Sequence, residues 1–200
     1  MKLRAKRMTA QQAVGLWEQF YELVGAERME HAYAWSSPQK HVRPGERVWA
    51  FGDVVNLTAE EISERISVPG GIAPVVERQI VGWGSLVMNL NDPDAIEVEL
   101  VCGVFPSYQR RGYRVAIREW MCDWARDHGA VYAKVTVFKE NKEHYDRCMK
   151  EAKNKATPWV YAGDEWYPAP GIGIFRRDLT EEEEAKSAEA EVPRSAVRAA

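Results

Sequence analysis

Cysteine is scarce in this sequence, and the spacing of the few present excludes two common kinds of site. The three cysteines are Cys102, Cys122 and Cys148, and no two of them form a C-x-x-C pair. This argues against both a disulfide framework and a zinc site. We therefore expect no metal site, and three buried thiols in a protein of a reducing compartment.

Long apolar runs are also missing. A membrane-spanning helix needs about 20 consecutive apolar residues, and no run in the chain approaches that length. The basic start at residues 1–7 is not followed by the apolar core of a signal peptide. We therefore expect a soluble, cytoplasmic protein that makes no membrane contact.

A strong excess of charge of one sign is absent as well. The formal net charge is −3, and the residues from 178 onward hold seven acids and three bases. The rest of the chain is therefore close to neutral, whereas nucleic-acid-binding domains usually show a basic excess. We expect one domain over residues 1–178, followed by an acidic, disordered tail over residues 179–200.

The pattern of apolar residues predicts alternating strands and helices. Thr9 and Gln12 form a capping box that opens a helix, which Gly25 ends. The segment 27–45 is irregular, and a second capping box begins at Thr58. Strands are predicted at 47–57, 75–90, 96–105 and 131–138, helices after residue 112 and at 141–152, and a hairpin over 158–175 with its turn near Gly163 and Asp164. This order predicts an α/β (α+β) fold with a mixed sheet.

The most informative segment joins the strand at 96–105 to the following helix. An apolar run ends at Pro106, and a basic turn with Gly112 follows, so backbone N–H groups and arginines converge at a helix start. Such a helix start, with its positive dipole end, binds phosphate oxygens. The loop is therefore predicted to hold a diphosphate.

This loop resembles the acyl-CoA-binding motif of the GNAT superfamily, the Gcn5-related N-acetyltransferases. The family pattern is Gln or Arg, two residues of any kind, Gly, any residue, then Gly or Ala. The corresponding residues here are Gln109, Arg110, Arg111, Gly112, Tyr113 and Arg114, and the lead-in through Val104, Pro106 and Tyr108 is also similar. The resemblance implies a mostly antiparallel central sheet with helices on both faces and a splayed parallel strand pair.

The resemblance also implies a cofactor and residues that hold it. The cofactor is acetyl-CoA, bound along Cys102, Gly103 and Val104, by residues 109–114 and by Asn141. Arg114 departs from the family's small residue. It would either crowd the diphosphate or point outward and bind the adenosine 3′-phosphate.

Acid–base residues are expected on two elements. Glu97 and Glu99 lie two apart on the strand, so both project from one face, where a carboxylate would serve as the general base or simply be solvated. The position that best matches the family's glutamate is Val98. The position that matches its tyrosine acid is Cys148, which leaves Tyr145 as the candidate acid or as a core residue.

Three functions follow from these expectations. The first is an acetyl-CoA-dependent N-acetyltransferase acting on an amine of a small molecule, peptide or nucleotide. The second is a nucleic-acid base modifier resembling the phage Mom type, which the weak charge of the body does not favour. The third is a non-catalytic coenzyme A-binding or assembly protein. The aromatic segment 159–167 would wall the acceptor pocket, seal the sheet or form a homodimer.

Overall fold

The structure, a computed structural model, describes residues 3–33, 37–52, 80–89, 96–154, 157–165 and 171–180. Within them the chain forms one seven-stranded sheet in the order β1-β2-β3-β4-β5-β7-β6. The strands are β1 (Arg4–Arg7), β2 (Glu46–Gly52), β3 (Ile80–Asn89), β4 (Glu97–Val104), β5 (Tyr132–Phe138), β6 (Trp159–Glu165) and β7 (Ile172–Asp178). The helices are α1 (Ala10–Val24), α2 (Ala26–Tyr33), α3 (Tyr113–Asp127) and α4 (Lys142–Lys153), with a 3-10 turn at Pro106–Tyr108.

One strand pair differs in direction from all the others. Neighbouring strands are antiparallel except β4 and β5, which are parallel. Their pairing ends at Glu99 and Lys134, whereas β4 stays paired with β3 up to Val104. The two strands therefore diverge beyond Glu99, which confirms the predicted fold class and its splayed pair.

Glycines on adjacent strands show that helices cover both faces of the sheet. A Cβ on Gly103 would lie 2.7 Å from the Phe20 ring of α1. A Cβ on Gly84 would lie 2.5 Å from the Met121 sulfur of α3. Gly103 pairs with Trp83, the neighbour of Gly84 in β3, and successive strand residues face opposite sides. Helix α1 therefore packs on one face and α3 on the other.

Helix α1 begins and ends at the capping residues that the sequence predicts. The Gln12 N–H donates to the Thr9 hydroxyl at 3.3 Å, and the Thr9 N–H donates to the Gln12 side chain at 3.0 Å. Gly25 caps the other end of α1 with a positive φ. The buried stripe through Trp17 and Phe20 packs edge-on against Trp83. These contacts confirm both the capping box and the predicted apolar face.

Three local predictions are wrong. Residues 26–33 form helix α2 where an irregular segment was expected, and the short strand β1 was not expected at all. Gly163 and Asp164 lie inside β6, opposite Ile174 and Gly173 of β7, so they are paired strand residues and not the turn of the hairpin. A bulge between Tyr161 and Gly163, with Gly163 at φ +119°, accounts for the turn-like composition of that part of the strand.

One prediction falls outside the described residues, namely the helix that begins at Thr58. At the other end, Leu179 is fully buried and its N–H donates to the Val131 carbonyl at 2.9 Å. The packed part of the chain therefore extends one residue past the predicted boundary at 178. Among the described residues, no helix is long and apolar enough to cross a membrane.

Candidate functional site

The segment after β4 is a tight turn with an unusual backbone conformation. Arg110 has a φ of 63° and is the only non-glycine residue with positive φ in the described part of the chain. Gly112 follows with a φ of 82°. A non-glycine residue in this region costs roughly 1–3 kcal/mol and is typical of functional sites. Left-handed residues in a turn direct successive N–H groups into one anion-binding concavity.

Helix α3 begins directly at this turn. Its N-cap, Gly112, makes no side-chain capping hydrogen bond. The backbone N–H groups of Arg110, Arg111, Gly112 and Arg114 have no hydrogen-bond partner among the described residues. The Tyr113 side chain is buried in the core beneath α3, where its ring lies edge-on to that of Tyr108. The turn is thus a cluster of free donors at the positive end of a helix dipole.

A cleft of about 1430 Å³ opens where β4 and β5 separate. It is bounded by residues of α1 and α2 on one face of the sheet and by residues of α3 and α4 on the other. Seven of the predicted site residues line it, namely Glu99, Cys102, Val104, Gln109, Arg110, Arg114 and Asn141. The others, Glu97, Gly103, Arg111, Gly112, Tyr113 and Tyr145, are not among its lining residues.

The two candidate glutamates have different surroundings. Glu97 is bound by Arg176 at 2.6 Å and by Lys134 at 3.6 Å, so its carboxylate is already occupied by two cations. Glu99 lines the cleft at the last position before the strands diverge, and it accepts a hydrogen bond from the Thr136 hydroxyl at 3.1 Å. Of the two, only Glu99 lines the cleft, so only its carboxylate can contact a group bound in the wedge, the space between the diverging strands β4 and β5.

Asn141, the N-cap of α4, and His144 both line the cleft, whereas Tyr145 does not. The Asn141 side chain caps the helix by accepting from the His144 N–H at 3.4 Å. The Tyr145 ring lies edge-on to Phe175, with centroids 6.0 Å apart, and covers Gly173 of β7. Tyr145 was expected to be either the acid or a core residue, and these contacts are those of a core residue. The described aromatics of β6, Trp159 and Tyr161, also lie outside the cleft lining.

A protein-family model described as "Acetyltransferase (GNAT) family" matches residues 16–148. The chain belongs to this family. The match spans the turn at residues 109–112, the splayed strands and most of α4, so the GNAT core and the cleft coincide. No curated protein sequence matches the chain.

Solved structures show the same fold at low sequence identity. A GCN5-related N-acetyltransferase from Kribbella flavida is 14% identical, with 88% of this chain and 97% of that chain covered and a TM-score of 0.55. The GNAT domain of S. lividans PAT is 15% identical, with coverages of 88% and 90% and a TM-score of 0.54. The spermidine/spermine N-acetyltransferase SpeG from Vibrio cholerae is 11% identical, with coverages of 92% and 96% and a TM-score of 0.54.

Two departures from the GNAT pattern contact each other through one histidine. The Arg114 guanidinium hydrogen-bonds the His144 ring at 2.9 Å, so this arginine points toward α4 along the cleft wall. The Cys148 sulfur lies 3.6 Å from the same ring. Burial and the nearby cations Arg114, Arg147 and Arg118 lower the pKa of His144 to about 3. Burial also raises the pKa of Cys148, which keeps the thiol protonated and unreactive at neutral pH.

Sequence reasoning missed a polar group on the α1 face of this GNAT cleft. Glu46, the first residue of β2, is buried and accepts hydrogen bonds from Arg43 and from the Ser85 hydroxyl. All three residues line the cleft. The available signal was register, because Glu46 occupies the same strand face as the apolar Val48 and Ala50. A carboxylate on a buried face calls for a partner, and no local motif identifies that partner.

Proposed function

We propose that this GNAT protein transfers an acetyl group from acetyl-CoA to the nitrogen of a small-molecule, peptide or nucleotide amine. The observation that carries the proposal is the geometry of residues 109–114, the diphosphate loop. Its left-handed Arg110, its unpartnered N–H groups and its helix start meet at one end of the wedge between β4 and β5. SpeG, which shares the fold, is by name an N-acetyltransferase of spermidine and spermine.

The residues present fit coenzyme A. The N–H groups of Arg110, Arg111, Gly112 and Arg114 and the side chains of the first two arginines would hold the diphosphate. The β4 backbone at Cys102 and Val104 would bind the pantetheine arm in the place of a paired strand, with Asn141 on the opposite wall. Acetyl-CoA supplies an activated acyl carbonyl at the thioester.

Glu99 performs the proton transfer in this proposal. Its carboxylate accepts a proton from the acceptor ammonium, which frees the nitrogen lone pair to form the new N–C bond as the C–S bond breaks. The Thr136 hydroxyl orients the carboxylate from β5. Tyr145 is withdrawn as the acid because its ring packs on Phe175. Thiols are far more acidic than alcohols, with a pKa of about 8.5 for cysteine, so a thiolate can leave without a side-chain acid.

The first experiment is thermal unfolding with and without acetyl-CoA, followed by thiol release with a panel of amines. A ligand that binds only the folded state raises the unfolding midpoint by mass action. We expect a rise in the wild type, and amine-dependent thiol release at saturating acetyl-CoA. If saturating acetyl-CoA does not change the unfolding midpoint, the proposal is refuted.

Two glycine variants separate binding from stability. Gly112 and Gly129 both have positive φ and open space around the Cβ position, at the start of α3 and just beyond its end. Alanine at either position should destabilise the protein by a similar amount, about 1 kcal/mol. Gly112→Ala should also abolish the acetyl-CoA shift, because the new methyl group projects at the diphosphate. Gly129→Ala should retain that shift.

A further inference from the structure

The cleft has a second polar end, away from the diphosphate loop. On the α1 face it is lined by Glu46 of β2, Ser85 of β3, and Gln39 and Arg43 from the segment before β2. In the GNAT cleft this is the side from which an acceptor would approach Glu99. The groups gathered there therefore bear on which amines the protein acetylates.

Arg43 is held in place by a buried carboxylate. Its backbone N–H donates to Glu46 at 2.9 Å, and its Nε and Nη2 donate to the same carboxylate at 3.3 and 3.5 Å. The Glu46 side chain is 1% exposed, and the Arg43 side chain is 43% exposed. A buried carboxylate is tolerated when its oxygens are bonded in this way. One edge of the guanidinium is fixed, and the opposite edge has donors left for a ligand.

A further group from the segment before β2 has no matching partner among the described residues. The side-chain oxygen of Gln39 is buried with no hydrogen-bond partner among the described residues. Buried amide groups are normally paired, so Gln39 indicates a polar ligand atom in this part of the cleft. Either end of its amide can meet that atom after a flip.

Strand register gives the distance between this end and Glu99. Glu46 and Glu99 both pair with Val87, from opposite sides of β3, so they share one face of the sheet. Two strand spacings separate them, about 10 Å. The backbone positions that carry the two carboxylates are therefore about 10 Å apart, which sets the scale of an acceptor that would join Glu99 to the guanidinium bound to Glu46.

We propose that the acceptor is an amine that carries a carboxylate at its other end. Its ammonium binds at Glu99 and its carboxylate binds the exposed edge of Arg43, so its middle spans the β3 face between the two. This inference rests on the proposed acetyl transfer. A free ω-amino acid and a short peptide with its terminal carboxylate share this chemistry.

The test compares matched acceptors in thiol release from acetyl-CoA. The first set is 6-aminohexanoate, hexylamine and 1,6-diaminohexane, which differ only in the distal group. The second set is triglycine and its C-terminal amide. We expect kcat/KM for 6-aminohexanoate or triglycine to exceed that of its uncharged analogue at least tenfold. The better of the two carboxylates identifies the source, and the diamine should be the poorest acceptor of its set.

Arg43→Gln should remove most of this preference, mainly by raising KM for the carboxylate acceptor. The matched control is Arg47→Gln, because Arg47 lies on the other face of β2 with its guanidinium 4.9 Å from the Trp124 ring centroid. The control should keep the full preference. Equal kcat/KM for the charged and neutral acceptors, or an equal loss on both in Arg43→Gln, would overturn the inference.

A binding readout separates this inference from the proposed function. With coenzyme A present, 6-aminohexanoate should raise the unfolding midpoint of the wild type and of Arg47→Gln but not of Arg43→Gln. If no amine releases thiol, the proposed transfer is refuted, and the midpoint shifts still decide whether the site binds carboxylates. A shift that persists unchanged in Arg43→Gln would refute the carboxylate site alone.

Discussion

Glu99 combines three properties that a general base in this cleft needs. It stands at the point where β4 and β5 diverge, it faces the side of the sheet from which an acceptor would approach, and Thr136 orients it. Glu97 shares the strand face, but its carboxylate is taken up by Arg176 and Lys134. The alternation of strand residues was visible in the sequence. The cations that distinguish the two glutamates come from β5 and β7 and were not.

Glu99→Gln should lower kcat by about 10²–10³, because the amide cannot accept the ammonium proton. Acetyl-CoA binding, measured as the rise in unfolding midpoint, should be unaffected. The steady-state assay should be run as a function of pH, since the loss should diminish where the amine deprotonates in solution. A variant with unchanged kcat at neutral pH would show that the base lies elsewhere.

Glu97→Gln is the matched control for that variant. Removing this carboxylate leaves Lys134 and Arg176 without their shared partner, so the protein should lose stability, by about 1 kcal/mol. Its kcat should remain far above that of Glu99→Gln. If the two variants lose kcat equally, the effect of either is a change in the shape of the β4–β5 wedge and not the loss of a base.

At the scale of elements, features set by neighbouring residues were predicted from the sequence, whereas features set by distant contacts were not. The capping box at Thr9, the start of a helix after Gly112 and the helix that follows Asn141 are each set by a few neighbouring residues, and the structure has all three. Helix α2 was missed because it is short and polar and follows Gly25 directly. Gly163 was misread because a bulge in a strand has the same composition as a turn.

The contact between α3 and α4 should make the stability of the fold depend on pH. His144 has a pKa of about 3 in the folded protein, against an ordinary value of 6.5. The unfolded chain therefore binds the proton more readily, so stability rises with pH between about 3 and 6.5 and is fully present above 6.5. Between pH 6.5 and 5 the loss should be on the order of 1–2 kcal/mol.

Urea unfolding at several pH values measures this dependence. His144→Gln cannot take up the proton and should flatten the curve across that window. Arg114→Met removes one of the cations that lower the pKa of His144, so the imidazole resonances should titrate at higher pH than in the wild type. A wild-type slope that survives in His144→Gln would assign the dependence to other groups.

At the scale of the whole molecule, the candidate site divides into a half that the sequence predicted and a half that it did not. Apart from Asn141, the proposed cofactor half lies on one continuous segment, 101–114, where spacing alone carries the information. The acceptor half is assembled from the segment before β2 and from β2, β3 and β4. Its key pair, Arg43 and Glu46, becomes recognisable only when the register of β2 on β3 places Glu46 next to Ser85. Such long-range pairings are not encoded in any local pattern.

Leu179 should contribute measurably to the stability of the fold, which truncation can test. Leu179 is 0% exposed and is held by the hydrogen bond from its N–H to Val131. A chain that ends at residue 178 loses both and should be destabilised by about 2–4 kcal/mol, close to the effect of Leu179→Ala in the full chain. A chain that ends at residue 180 should unfold at the same midpoint as the full chain, because the residues beyond it are too acidic and too poor in large apolar side chains to add to the core. Thermal unfolding of the four proteins decides the boundary, and a lower midpoint for the chain ending at 180 would show that the acidic segment packs on the domain.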